Sequence, residues 1–337
     1  MNTELRRVQK TGASTLTVSL PKGWVDVSGL KAGDQVSMAV QVDGTIVLDT
    51  KIERRKEVLR REIWTDKKES TEHLTRKLIG AYLVGYNNIE VRSKERMDPE
   101  TKSAVREFSR MAIGPEIVEE TANSIIMHDL SDPIELPQEK CVRRMHLIVK
   151  SMHSDAVEAL RTEDRGLAED VIDRDTDVDR LYWMAVKQNN LIARDRRLGD
   201  RMGLDIFESN DLMLVARGIE RIGDHAVRIA RNVLLSIKDD DKLAAANHIK
   251  ELSIEALVVL EDGMDALFRK NIDKANEVID TGLDVVRRCE KLGQGLRTMN
   301  SKEAIITNTV LDSIIRSTMY GVDIAEIAIN GAMRNEK

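Results

Sequence analysis

The sequence predicts a multidomain chain: a short β-rich N-terminal part, a small α+β middle segment and an all-α C-terminal domain. Three observations predict it. All five prolines, Pro21, Pro99, Pro115, Pro133 and Pro137, fall within the first 137 positions. A proline-free stretch as long as the remainder, with apolar residues stepping by three and four, is a helical domain. The first fifty residues instead carry short β-branched runs bounded by Gly, Pro and Asp, the pattern of strands and turns. Finally, the C-terminal part repeats itself. Asp155-Ala156-Val157-Glu158-Ala159-Leu160 returns as Asp262-Gly263-Met264-Asp265-Ala266-Leu267, and Val171-Ile172-Asp173 as Val278-Ile279-Asp280. Both are displaced by 107 positions (160 to 267, 171 to 278), and such self-similarity marks a duplicated unit.

The totals agree. At 337 residues the chain exceeds what one small core accommodates, and two or three domains are expected. Charged residues at 33% and aromatics at 3% favour charged-faced helices packed through aliphatic side chains. The net charge of -6 argues against a protein coated in nucleic acid, although a local basic patch is compatible with it. Cys141 and Cys289 form no CxxC and no disulfide framework, so they read as buried thiols in a reducing compartment. No apolar run approaches the ~20 residues that span a bilayer, and the start MNTELRRVQK lacks a signal-peptide core. A cytoplasmic, soluble protein without membrane insertion is expected.

In chain order, the first segment (1–50) offers STLTVSLP and DQVSMAVQVDGTIVLDT as strand runs. Asp43-Gly44 between Val40-Gln41-Val42 and Thr45-Ile46-Val47-Leu48 signals a two-residue hairpin. Between the runs, KGWVDVSGLKAGD reads as a helical turn closed at Gly29 and followed by a tight turn at Gly33. In residues 51–135, KIERRKEVLRRE is either a helix or an edge strand. A helix over Thr71 to Gly85, a strand at Asn88-Ile89-Glu90-Val91, a helix from Asp98-Pro99 to Met111, and strands over Glu116 to Glu120 and Ser124 to His128 follow. Their alternation suggests a small α+β domain of ferredoxin-like type. The C-terminal domain (138–337) divides into repeats of about 138–237 and 241–335. Its helices are expected at 138–163, 166–195, 205–237, 241–270, 272–299 and 303–333.

The third of these helices carries the most informative stretch, DLMLVARGIERIGDHAVRIARN. Leu212, Val215, Ile219, Ile222, Ala226, Ile229 and Val233 form its apolar stripe. Beside the stripe, Glu220 and Asp224 leave the same face one turn apart, amid Arg217, Arg221, Arg228 and Arg231. Spacing alone leaves two readings open: a solvated face of i,i+4 ion pairs, or rigidly held oxygen ligands for a metal. In the second helix, VIDRDTDVDRLYW places Asp175 and Asp179 at i,i+4, with Asp173 and Asp177 as the alternative pair one register over.

Two resemblances sharpen this reading. Glu220-Arg221-Ile222-Gly223-Asp224-His225-Ala226, followed by Ile229-Ala230, resembles the signature of the PhoU family, whose architecture is two tandem three-helix bundles. The resemblance implies a metal site built from Asp175, Asp179, Glu220 and Asp224. Such hard oxygen donors suit a divalent or trivalent ion: iron, zinc, manganese or magnesium. The second repeat departs from the pattern. Asp323 aligns with Asp224, but Gly282 and Val286 stand where the first pair belongs and Met319 replaces the glutamate, so one site per protomer is expected. Separately, the order strand, Leu-Pro-Lys, short helix, Leu-Lys-Ala-Gly-Asp, hairpin over Arg6 to Asp49 looks like the AbrB/SpoVT (MazE-like) swapped-hairpin barrel. That resemblance implies a homodimer and DNA contacts from Arg6, Arg7, Lys10 and Lys22, since phosphates need cationic donors on one face.

Other chemistries find no support. Glu-x-x-His pairs of carboxylate oxidases are missing, because Gly223 stands three after Glu220 and His225 five after it. His225 reads as a surface histidine or one behind the ligands. There is no GxxxxGKS, HExxH or GxSxG, so no catalytic residue is assigned and no enzyme is expected. The expectation is a phosphate-responsive regulator of phosphate uptake that binds DNA through its N-terminal domain and metal through its helices. The alternative is an adaptor that binds no DNA and controls a phosphate transporter ATPase or a signalling partner.

Overall fold

The computed structural model describes residues 4–40, 44–50, 58–236, 245–295 and 301–334. It divides into two compact units, Met1–Val58 and Leu59–Lys337. The first unit holds β1 (Gln9–Thr11) and β2 (Thr15–Thr17), α1 (Lys22–Ser28), and β3 (Ser37–Val40) and β4 (Ile46–Asp49). Helix α1 ends where Gly29 turns to φ 70°, a left-handed conformation that costs glycine nothing. Both strand pairs are antiparallel hairpins. Val40 faces Ile46 across the second pair; the expected turn at Asp43-Gly44 involves residues 41–43, which lie outside the described residues, and Gly44 itself has φ 79°. None of the described residues of this unit is buried. Leu16 is 68%, Val40 76% and Ile46 59% exposed, so each hairpin shows apolar side chains to solvent.

The second unit begins with an α+β layer of β5 (Arg60–Thr65), α2 (Thr71–Val84), β6 (Asn88–Ser93), α3 (Pro99–Met111), β7 (Pro115–Glu120) and β8 (Ser124–Asp129). Both helices start on side-chain caps: Ser70 accepts from the His73 amide at 3.3 Å and Asp98 from Thr101 at 2.7 Å, with Pro99 opening the first turn. The strand order is β5-β6-β8-β7. The ferredoxin-like expectation is overturned, because β5 and β6 are adjacent and parallel across the α2 crossover, while β7 and β8 follow α3 as an antiparallel hairpin. That β-α-β-α-β-β order is not the β-α-β-β-α-β of the ferredoxin-like motif. The basic run KIERRKEVLRRE ends inside β5, an edge strand; its residues 51–57 lie outside the described residues. Ile89, Val91, Ile125 and Met127 bury one face of the sheet with Tyr82 and Phe108, whose rings meet edge to face at 6.2 Å.

The helices follow: α4 (Gln138–Thr162), α5 (Arg165–Arg194), α6 (Arg196–Met202), α7 (Ile206–Ser236), α8 (Ala246–Arg269), α9 (Ile272–Gln294) and α10 (Ser301–Met333). The six long ones match the expected spans to within a few residues. The expected ends near 237, 241 and 299 fall outside the described residues. The seven-residue α6 was not foreseen, being too short to show a periodic stripe. Helices α4, α5 and α7 pack on one another, as do α8, α9 and α10, with α4 against α8 and α7 against α10 joining the sets. Buried side chains from all six run into one cluster.

The sheet is fastened to α5. Lys187, 1% exposed, forms an ion pair with Asp129, donates to the Ser131 hydroxyl at 3.0 Å and lies 4.4 Å over the Tyr82 ring. Three residues on, Asn190 donates to the Leu83 carbonyl at 2.8 Å. Gly85 (φ 91°) lets Leu191 approach so closely that a Cβ there would lie 2.6 Å from the leucine Cδ2.

Candidate metal centre

Helices α5 and α7 run antiparallel, and two contacts set their register. Near the start of α7, the Ser209 hydroxyl donates to Asn189 at 3.0 Å and to Gln138 of α4 at 2.8 Å. Farther along, Gly223 faces Val178 and Asp175 of α5 and Val149 of α4. A Cβ at Gly223 would stand 3.8 Å from the Asp175 carboxylate and 3.4 Å from Val149. The glycine of the Glu-Arg-Ile-Gly-Asp run therefore lies on the face of α7 that meets both α4 and α5. That register sets Asp175 level with Asp224 and Asp179 level with Glu220.

The four expected carboxylates thus come from two facing helices and perturb one another. Burial pushes Glu220 up to about 7, reinforced by Asp224 and opposed by Arg221. Asp179 rises to about 6 through burial and then the charges of Asp175 and Asp224. Asp175 is raised by burial and by Asp224. Like charges brought together out of water favour the protonated forms. The cations that answer them are few: Arg221 pairs with Asp224 at 2.9 Å and Glu220 at 3.5 Å, and Arg231 acts on Asp175 from a later turn. Asp173 and Asp177, the alternative pair, are exposed, and Asp177 lies 3.7 Å from Arg180. Among the described residues, no group of three or more His, Cys, Asp or Glu side chains is gathered tightly enough to hold a metal ion. The set converges but is spread, as mutually repelling carboxylates are. Hard oxygens are the donors that a di- or trivalent ion takes, but as placed the four do not close around one point.

The second repeat is built differently at the equivalent place. Gly282 stands where Asp175 does in the first, and a Cβ there would lie 2.4 Å from Val322 and 3.4 Å from Val259. Helices α9 and α10 close over that position with apolar contacts. Asp323 is exposed, and its pKa is raised by desolvation and then by the charge of Glu326.

The histidines sit elsewhere. His225 points toward α10, 6.2 Å from the Tyr320 ring, half-buried rather than on the surface. His153 is wholly buried in α4, neither ring nitrogen has a hydrogen-bond partner, and burial pushes it down to about 4. Nothing in its sequence context marks it beyond its place on the apolar stripe. In the first unit Arg6, Arg7, Lys10 and Lys22 are all exposed. Arg6 pairs with Glu4, and Lys10 lies in β1 opposite Leu16.

Residues 142–233 match the PhoU domain model, and residues 9–57 match that of the antidote-toxin recognition protein MazE, a bacterial antitoxin. A phosphate-specific transport system accessory protein PhoU homolog of Clostridium acetobutylicum is 27% identical over 163 residues, 46% of this chain and 68% of the relative. A second such homolog, from Thermotoga maritima, is 26% identical over the same shares. The crystal structure of the phosphate transport system regulatory protein PhoU from Streptococcus pneumoniae superimposes with a TM-score of 0.50 at 20% identity, covering 59% of this chain and 94% of that one; the likeness is one of fold. Among the described residues no helix is long and apolar enough to cross a membrane. The chain thus carries a segment similar to the PhoU domain and, toward its N-terminal end, one similar to MazE.

Proposed function

We propose that this protein is a non-enzymatic regulator of phosphate uptake, in which a PhoU domain of two three-helix repeats binds metal and the MazE/AbrB-like domain dimerises and holds DNA. The observation that carries the reading is that three half-buried carboxylates, Asp175, Asp179 and Glu220, and the exposed Asp224 lie on facing sides of α5 and α7, inside the segment that matches the PhoU domain. Asp175, Asp179, Glu220 and Asp224 are the proposed ligands. A bound ion would add positive charge to that which Arg221 and Arg231 bring to these carboxylates. The residues' own part is to hold two carboxylate pairs at matching heights on rigid helices, with Gly223 keeping the helices close.

The N-terminal role rests on the open hairpins of the first unit. Among the described residues the apolar side chains of Leu16, Val40 and Ile46 stay exposed, and a unit this small buries little surface and is marginal alone. A second copy interleaving its strands would cover them, and symmetry would double the patch of Arg6, Arg7, Lys10 and Lys22. The partner on the phosphate side is proposed from the relatives' names: a phosphate transport system.

Two measurements test the proposal. Elemental analysis of protein purified without chelator should find bound metal in the wild type and a loss in Glu220→Ala and Asp224→Ala. Unchanged metal in both variants would sink the site. Fluorescence anisotropy against the protein's own promoter should show binding that falls steeply with salt and is lost on Arg6→Ala, Arg7→Ala and Lys10→Ala together. Each phosphate contact removed lowers the log–log salt slope by roughly one. A triple variant that binds as tightly as wild type would leave the adaptor reading.

A further inference from the structure

The two edges of the four-stranded sheet are guarded differently. At β7 the register shifts between Ile117 and Glu119, and Glu116, Glu119 and Glu120 stand exposed along the strand. A bulge and a row of like charges turn away any further strand, a second copy of the same edge included. Strand β5 has neither device. It pairs in unbroken parallel register with β6, and among the described residues no strand lies on its other side. Its charges are mixed: Arg60, Arg61 and Glu62 come before Trp64, and Asp66 follows. Arg60, Glu62 and Trp64 alternate on the face away from the buried Ile63 and Thr65, and Trp64 is exposed.

We propose that β5 pairs antiparallel with β5 of a second copy, joining the two four-stranded sheets into one. A two-fold axis perpendicular to such a sheet passes beside one residue of the strand, and the charges choose which, because like charges directly opposite repel. An axis at Arg61 opposes two arginines, and one at Glu62 opposes two glutamates. An axis at Trp64 opposes Glu62 to Asp66 twice. An axis at Ile63 opposes Arg60 to Asp66 twice, Arg61 to Thr65 and Glu62 to Trp64, with no like pair. Both charged groups are within reach of a second strand. Arg60 is exposed, and Asp66 holds the Lys68 and Glu69 amides with Oδ1, at 2.8 and 3.2 Å, which leaves Oδ2 for an arginine. Glu62 already has Arg92 at 3.0 Å, so it meets Trp64 as half of an ion pair. In this register the two Trp64 residues are diagonal neighbours across the new strand pair, a spacing that aromatic rings bridge. The occupant is a second copy because the complementarity is itself two-fold: each strand supplies both the arginine and the aspartate. The dimer proposed for the N-terminal unit would bring two β5 strands together on short tethers, but the pairing does not depend on it.

The test keeps the full chain. Glu62→Cys and Trp64→Cys variants, tagged differently and co-expressed, are oxidised and their cross-links identified by mass spectrometry; Cys141 and Cys289 are buried and stay out of the reaction. Directly opposite residues lie within disulfide reach, so a 62–64 link between the two variants should be about tenfold more abundant than one between Trp64→Cys and Glu116→Cys on the other edge. Adding Arg60→Asp to both chains should cut the link by about tenfold, and Arg60→Asp together with Asp66→Arg should restore it. Because Asp66→Arg also removes the contacts to the Lys68 and Glu69 amides, hydrogen exchange on unsubstituted protein gives a second reading: the β5 amides that point away from β6 should exchange as slowly as those bonded to it. No 62–64 link, a link indifferent to Arg60→Asp, or fast exchange of the outward amides would overturn the pairing. Sedimentation separates this failure from that of the N-terminal dimer: a chain that stays dimeric without the link loses only the β5 pairing, and a monomeric chain loses both.

Discussion

Glu220→Gln separates the two states of the carboxylate cluster. In metal-free protein Glu220 is held at about 7 rather than at its ordinary 4.5, so the fold favours its protonated form. The stabilisation is complete below the unfolded value and is lost as pH rises through 7. A shift of that size corresponds to about 3 kcal/mol, at 1.36 kcal/mol per unit. The side chain is only 16% exposed, so screening by solvent removes little of it. Between pH 5 and pH 8 the difference accumulating against wild type is about 2.5 kcal/mol. A glutamine keeps the shape without the charge. In chelator, urea unfolding followed by circular dichroism should therefore find Glu220→Gln close to wild type at pH 5 and more stable by about 2 kcal/mol at pH 8. Added metal should reverse the order, since a ligand at a hundred times its Kd contributes about 2.7 kcal/mol to whichever form binds it. A gap that does not change with pH, or a glutamine variant less stable than wild type at pH 8 in chelator, would refute the reasoning.

Three further outcomes follow from the buried groups. His153 is held neutral at about 4 instead of 6.5, with His225 across from it on α7; its stabilisation is present above 6.5 and lost as pH falls toward 4. The stability of His153→Leu relative to wild type should therefore rise by about 2 kcal/mol between pH 7.5 and pH 5, read from urea midpoints at both values. Asp129→Ala strands the Lys187 ammonium in the interior and should cost about 3–5 kcal/mol, measured by chemical denaturation; a loss below 1 kcal/mol would place water at that lysine. Gly85→Ala combines a left-handed backbone with a close approach to Leu191, and should lower stability by roughly 1–3 kcal/mol with the same assay.

Much of the helical architecture was legible because periodicity over twenty to thirty residues is a strong signal, and because the repeat supplied the same boundaries twice. The carboxylate pairs were legible for the same reason: i,i+4 spacing fixes a face once the helix is known. Which of two overlapping aspartate pairs faces α7 was not fixed by spacing alone, since 173/177 and 175/179 differ by about half a helical turn. Burial distinguishes them, and burial depends on the partner helix. The sheet was read as strands but given the wrong, ferredoxin-like topology. Strand pairing is a property of contacts distant in sequence, and the parallel β5–β6 pair follows from a crossover that no local motif encodes. His153 was missed because a histidine on an apolar stripe looks the same in sequence whether its nitrogens meet partners or not.

Helix α5 has two ends with different obligations. Asp179 and Lys187 are eight residues apart, which is about 12 Å along a rod that neither stretches nor bends at this length. Toward one end its carboxylates face α7; toward the other its lysine is locked beneath the sheet by Asp129, Ser131 and the Tyr82 ring. The buried ion pair tolerates little slippage, since partial separation strands both charges away from water. A twist of α5 about its own axis therefore cannot be absorbed locally. Any change in angular phase at Asp175 and Asp179 must either be refused by the lock or be carried through it, turning α2 and the sheet as one piece with the helix.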